Sequence, residues 1–314
     1  MSRYLLLLGF FLSLPARAAD PLTLKGHAGW VGGVAFSPDG TALATASADG
    51  TVRFWNPSSG KHTGTLDAHP DAVTAVAFSA DGALVGTSSF DGTAKVWDAN
   101  TRKLRQTFRG HRGAVQTVAF DPRDNRFVAT GGIDGTVRVW HLDSGVDRGT
   151  DAHKSWVNAV AFNPATFGRF ASVSSDNTLA VRSGDGKIVL HLRPRAAELR
   201  SVAFSPDGKL VAAGTRYGPV KVWDAQSGDE VATLKGHKAD VWAVAFSHDG
   251  KTLASGNGDW DRPGEVRLWD TSTWKESAKL AHTGEVLSLA FSPKARVLAA
   301  GGWDKTVRVW TLDR

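Results

Sequence analysis

The chain has 314 residues, 42% of hydrophobic type and 22% charged, a globular balance that excludes a wholly disordered protein. It contains no cysteine, which excludes disulfides, thiolate metal sites and a cysteine nucleophile. The net charge of +6 is mild and its cations are spread along alternating segments such as Val137-Arg138-Val139-Trp140, so no cluster able to track a phosphate backbone is present and nucleic acid is not an expected partner.

The chain opens on an Arg-bearing start, an apolar run from Leu5 to Leu14, and small residues at Ala16 and Ala18. This is the layout of a secretory signal peptide cleaved after Ala18. The run is shorter than the ~20 residues of a spanning helix, and no cysteine follows it to carry a lipoprotein anchor. Residues 1–18 are therefore expected to be a signal peptide, and 19–314 a single exported domain, periplasmic or extracellular, with no membrane span. Cleavage would remove Arg3 and Arg17 and leave +4.

Beyond this the chain repeats. An Ala-Phe pair closes an apolar-alternating segment at Phe36, Phe78, Phe120, Phe162, Phe204, Phe246 and Phe291, spaced by 42 residues until a final 45. A His after Gly or Ala stands at His27, His69, His111, His153, His237 and His282, with Arg195 in the gap. A segment-ending Trp stands at Trp55, Trp97, Trp140, Trp223, Trp269 and Trp310, with Arg182 in the gap. Seven repeats result, and a recurring unit that cannot bury its apolar face alone signals a repeat architecture.

Each repeat calls for four short strands. In the first, VGGVAFS alternates, Pro38-Asp39-Gly40 turns the chain, LATAS and TVRFW are separated by Asp49-Gly50, and a last turn leads into HTGTL. Seven such sheets arranged radially give an all-β, seven-bladed β-propeller of four-stranded antiparallel blades. The seventh repeat lacks a fourth strand after Trp310, whereas PLTLKG (Pro21 to Gly26) is an unpaired alternating segment before His27. The N-terminal strand is thus expected to complete the last blade and close the ring.

The stretches GH…AFSPDG…SADGTVRFWN (Gly26 to Asn56) and AH…AFSADG…SFDGTAKVWD (Ala68 to Asp98) resemble the WD-repeat (tryptophan-aspartate repeat) family of seven-bladed propellers, over about residues 20 to 314. The resemblance implies that His27, Ser47, Asp49 and Trp55, and likewise His69, Ser89, Asp91 and Trp97, form buried structural tetrads bonded in series, not hydrolase triads. By that pattern the third and seventh repeats, with Gly132 and Gly302 at the serine position, have truncated sets; the fourth has Arg182 for Trp, and the fifth has Arg195 for His and Tyr217 for Asp. No phosphate-binding loop, H-E-x-x-H or G-x-S-x-G is present. No catalytic residue, metal or cofactor is expected.

The resemblance also implies that the His loops and Asp-Gly turns share one face, here called the top. Three columns should project there. The third residue after the His position contributes Trp30, Trp156, Glu198, Asp240 and Glu285; the fifth contributes Arg200 and Trp242; the residue before the turn Asp contributes Phe90, Ile133, Arg216, Trp260 and Trp303. Trp30, Trp242, Trp260 and Trp303 fall on the neighbouring repeats six, seven and one, an aromatic crescent with flanking charges of the kind that forms binding hot spots. The expectation is a monomeric, non-enzymatic scaffold binding a protein or peptide. A carbohydrate module using exposed Trp is the alternative, and an enzyme built on Glu198, Asp240 and Glu285 a more remote one.

Overall fold

The structure, a computed structural model, describes residues 20–151, 153–194, 198–259 and 262–312. Residues 1–18, where a signal peptide is expected, and Arg195 and Trp260 lie outside the described residues. Seven four-stranded antiparallel sheets form the blades of a propeller. Blade 1 consists of Val31–Phe36, Leu43–Ser47, Thr51–Trp55 and His62–Asp67, and blades 2 to 6 follow the same order. In blade 7 the order runs Val286–Phe291, Val297–Gly302, Val307–Thr311 and then Leu22–Leu24. Leu22 pairs with Val309 and Leu24 with Val307, so the N-terminal strand closes the ring.

The strands form where β-branched and aromatic residues alternate with polar ones, and both faces of the inner strands are covered. In Thr51–Trp55, Val52 and Phe54 face blade 2, packing with Val73, Val76, Val85 and Trp97. Trp55 faces the other way, onto Val307 and Val309 of blade 7. Each strand-ending Trp thus wedges between its own blade and the one before, and burying an indole contributes about 4–6 kcal/mol of gross transfer energy.

The Asp-Gly turns also join neighbouring blades. Gly50 has φ 84°, and a Cβ there would lie 2.7 Å from the carbonyl oxygen of His69. That closeness serves a bond, since the His69 N–H donates to the Gly50 carbonyl at 3.1 Å. His153 donates to Gly135 and His282 to Gly264 in the same way. The His loop of each of these blades is therefore held against the turn of the preceding one, on a common rim.

Candidate functional site

In blades 1 and 2 the polar network differs from the expected tetrad in one member. Trp55 Nε1 donates to Thr45 Oγ1 at 2.9 Å, the same oxygen meets His27 Nε2 at 2.7 Å, and His27 Nδ1 meets Asp49 Oδ2 at 2.9 Å. Blade 2 repeats this with Trp97, Thr87, His69 and Asp91. The hydroxyl is therefore Thr45 or Thr87, not Ser47 or Ser89. Ser47 Oγ instead donates to the Gly29 carbonyl at 3.0 Å and accepts from the Asp49 N–H at 3.2 Å. The serine closes the turn, and Ser89 does the same between Asp71 and Asp91.

This changes which blades are complete. Blade 3 has the full series through Thr130, which accepts from Trp140 Nε1 and meets His111 Nε2, both at 2.8 Å, despite Gly132. Blade 6 uses Ser255 between Trp269 and His237. Blade 7 is truncated for a different reason than Gly302: Ala300 stands at the hydroxyl position, and His282 Nε2 has no hydrogen-bond partner among the described residues. In blade 4 Ser172 meets His153 Nε2 at 2.8 Å, but Arg182 supplies no indole.

Burial and hydrogen bonding set the protonation of these groups. Burial alone would raise the Asp49 carboxyl, but bonds from His27, Thr51 and the Ala28 N–H outweigh it and hold it well below the usual range. Asp134 is held at about 2, against its burial, by bonds from the Arg112 and Thr136 N–H groups, the Thr136 hydroxyl and His111. The imidazoles of His69, His111 and His282 are pushed down by burial. Burial lowers His153 to about 4, with Arg182 adding to it, and His237 to about 3, with Arg267 adding to it.

Around the rim, each of the seven inner strand pairs carries a register shift at one position: Gly32, Thr74, Gln116, Asn158, Arg200, Trp242 and Leu287. These are the fifth residues after the His position, and a bulge re-aims its side chain out of the pleat. The other two columns sit side by side, because the N–H of Ala48, Phe90, Ile133, Ser175, Arg216 and Trp303 donates to the carbonyl of Trp30, Ala72, Ala114, Trp156, Glu198 and Glu285 at 2.8–3.0 Å.

Among the described residues the rim aromatics fall into separate groups. Trp30 stacks on Trp303 at 5.9 Å with planes 5° apart, and meets Phe90 at 6.0 Å, so the described stack runs over blades 7, 1 and 2. Trp303 and Phe90 are 42% and 43% exposed. Gly32 makes room for this, since a Cβ there would lie 2.4 Å from the Trp30 ring. Trp242 is half-buried instead, with the Arg200 guanidinium over its ring at 4.7 Å. Trp156 stands on blade 4, 52% exposed, and Ile133 on blade 3 is half-buried.

The expected charges pair with one another. Arg216 meets Glu198 at 2.7 Å, Glu198 meets Arg200 at 3.0 Å, and Arg200 meets Asp240 at 3.2 Å. Asp240 also accepts from the Tyr217 N–H at 3.1 Å, and Arg216 lies over the Tyr217 ring at 4.7 Å. Tyr217, 68% exposed, is a rim aromatic that column reading passed over as a lost turn Asp. In blade 6 the residue opposite Asp240 is Gly258, not Trp260. A Cβ on Gly258 would collide with Glu285 at 2.4–2.6 Å, so the glycine lets Glu285 lie over blade 6, where burial, with Asp259 and Asp240 nearby, raises its carboxyl.

No group of three or more His, Asp or Glu able to hold a metal ion occurs among the described residues, and no helix there is long and apolar enough to cross a membrane. The family model "WD domain, G-beta repeat" matches residues 21–56, 60–98, 102–141, 186–224, 228–270 and 274–311, leaving out 142–185, which holds the inner three strands of blade 4. Among curated proteins the chain is similar to the transcriptional corepressor LEUNIG_HOMOLOG of Arabidopsis thaliana, 29% identical over 173 residues, 54% of this chain and 21% of that protein. It is also similar to actin-interacting protein 1 of Drosophila melanogaster, 28% identical over 195 residues, 61% of this chain and 25% of that protein. A shorter match, 61% identical over 36 residues, links 12% of the chain to 5% of human striatin-4. The chain spans a quarter or less of the length of these relatives. The Trp, hydroxyl, His and Asp networks of blades 1 to 3 and the family match together establish that the chain belongs to the WD domain, G-beta repeat family.

Proposed function

We propose that the protein is an exported, non-enzymatic scaffold that binds a protein or peptide on the rim carrying the His loops. The observation that carries this reading is the Trp303–Trp30–Phe90 stack, which presents two half-exposed aromatic rings across three blades beside a neutralised charge chain. Rigid aromatics supply contact area at low entropic cost and recur as binding hot spots. The Drosophila relative is named for interaction with actin; a surface presented to a protein is the role proposed here. The reading assigns no catalytic step to Glu198, Asp240 or Glu285, since Arg200 already engages the first two. Export rests on the layout of residues 1–18.

The test has two parts. N-terminal sequencing of the protein from its native host should begin at Ala19, and a chain retaining Leu5–Leu14 would refute export. In the envelope fraction, crosslinking should capture a partner with the native protein and lose it with Phe90→Ala/Trp303→Ala, whose exposed side chains can be removed without unfolding. Loss of two hot-spot aromatics weakens binding by roughly 30-fold or more, so equal capture at equal stability would refute the rim. A glycan reading is favoured by the exposure of Trp156 and Trp303. It predicts glycan-array binding that disappears with Trp303→Ala.

A further inference from the structure

Six inter-blade clusters each contain a strand-ending indole: Trp55, Trp97, Trp140, Trp223, Trp269 or Trp310. The cluster between blades 3 and 4 has none, because Arg182 holds the position. Arg182 does not stand in for the ring. Its buried side chain turns to the following hairpin, where Nη1 donates to the Gly186 carbonyl at 2.9 Å, and its Nε has no hydrogen-bond partner among the described residues. The strand partner of the missing indole is Phe170, where other blades carry Leu or Val, so part of the lost volume is regained. The rest stays open.

A groove of about 520 Å³ lies between blades 3 and 4, more than twice the volume of those between blades 7 and 1, about 230 Å³, and blades 6 and 7, about 200 Å³. Its walls include Val139, Phe162 and Phe170. These hold the register positions of Val309, Phe36 and Leu43, the residues that pack with Trp55 between blades 7 and 1. At the mouth, Phe127 and Phe167 meet edge to face at 6.1 Å, and Phe167 and Val146 are 54% and 61% exposed. Gly168 and Gly184 touch through their backbones; a Cβ on Gly168 would lie 2.8 Å from Gly184 Cα, so no side chain fills the space there.

The charges on the wall select the ligand's sign. The Asp121 carboxylate is already occupied, accepting from the N–H groups of Arg123 and Gly168, each at 2.9 Å. His141 is engaged with Ser144 at 3.3 Å and packs against Phe127. Arg148, solvent-facing on the fourth strand of blade 3, is the only Lys or Arg among the lining residues. Phe127 and Phe167 at the mouth, with buried Phe162 and Phe170 behind them, make a wall suited to an aromatic guest, and a guanidinium fork matches a carboxylate. The volume suits one small molecule. The groove sits at the end of the inner strands opposite the His loops, so it is separate from the rim.

We propose that the groove between blades 3 and 4 binds a small aromatic carboxylate, its ring taking apolar space that an indole fills at the other interfaces and its carboxylate meeting Arg148. Indole-3-acetate and its neutral amide, titrated calorimetrically into the full chain, test this. The acid should saturate one site with a Kd below about 1 mM, and the amide should bind about tenfold or more weaker, the worth of one charged hydrogen bond. Arg148→Gln should bring the acid to the affinity of the amide and leave the amide unchanged, while Phe167→Ala should weaken both. A Phe170→Leu/Arg182→Trp variant that still folds should bind neither; if it does not fold, the two surface variants decide. Absence of saturable binding up to about 10 mM, an amide as tight as the acid, or an Arg148→Gln protein that keeps the preference would overturn the proposal.

Discussion

At the scale of single residues, a strand places side chains two apart on the same face, so Thr45 and Ser47 both point toward the His and the Trp. The family resemblance implies the serine as the hydroxyl of the tetrad. Register decides otherwise: Trp55 pairs with Leu43 and Arg53 with Thr45, so an indole lying back along its strand reaches Thr45 first. The same offset explains why Gly132 does not truncate blade 3 and Ala300 does truncate blade 7. Thr87→Val keeps shape but removes a hydroxyl that accepts from the buried Trp97 Nε1–H and donates to the unprotonated Nε2 of His69, and should cost about 2–4 kcal/mol in urea denaturation. Ser89→Ala loses only turn bonds and should cost about 1 kcal/mol or less. The opposite order would return the serine to the network.

At the scale of elements, blade 4 is the irregular one. Its Arg182 could be read directly from the repeat, but the consequence could not, because the repeat gives no account of where a replacement side chain turns or of how Phe170 grows to meet it. Restoring the regular pair with Phe170→Leu/Arg182→Trp puts an indole between blades 3 and 4, with Ser172 as its acceptor, and removes a buried guanidinium whose charge burial disfavours. The variant should gain about 1–3 kcal/mol and melt several degrees higher. A lower melting temperature would mean that the interface has repacked around the arginine.

At the scale of the whole molecule, the ring is held by seven similar interfaces, and its acid response collects their titrations. His153 and His237 sit near 4 and 3 in the folded protein against an ordinary 6.5. Between 6.5 and those values the unfolded chain binds protons that the folded chain does not, so stability falls as pH falls through that window. By the lower end of its window His153 costs roughly 3 kcal/mol and His237 roughly 5 kcal/mol. The carboxylates of Asp49, Asp91 and Asp134, held low by their bonds, stabilise above their ordinary range and lose this contribution only at still lower pH. The urea midpoint should therefore be flat above pH 7 and decline from about pH 6.5 downward, and His237→Gln should make that decline shallower. A midpoint constant down to pH 4 would exclude histidine control.

The repeat period, the alternation of apolar residues and the unpaired Pro21–Gly26 segment determined the propeller, its seven blades and its closure, because those features are local and recur. They also lined up the rim columns, except in blade 6, where Gly258 and not Trp260 stands opposite Asp240. The tertiary structure alone decided which hydroxyl the indole reaches, that Trp30 stacks on Trp303 and Phe90 while Arg200 covers Trp242, that Gly258 admits Glu285, and that the fourth blade opens a groove. Each of these depends on how side chains from two strands or two blades share one space, and a single strand's pattern carries no record of its neighbour's volume.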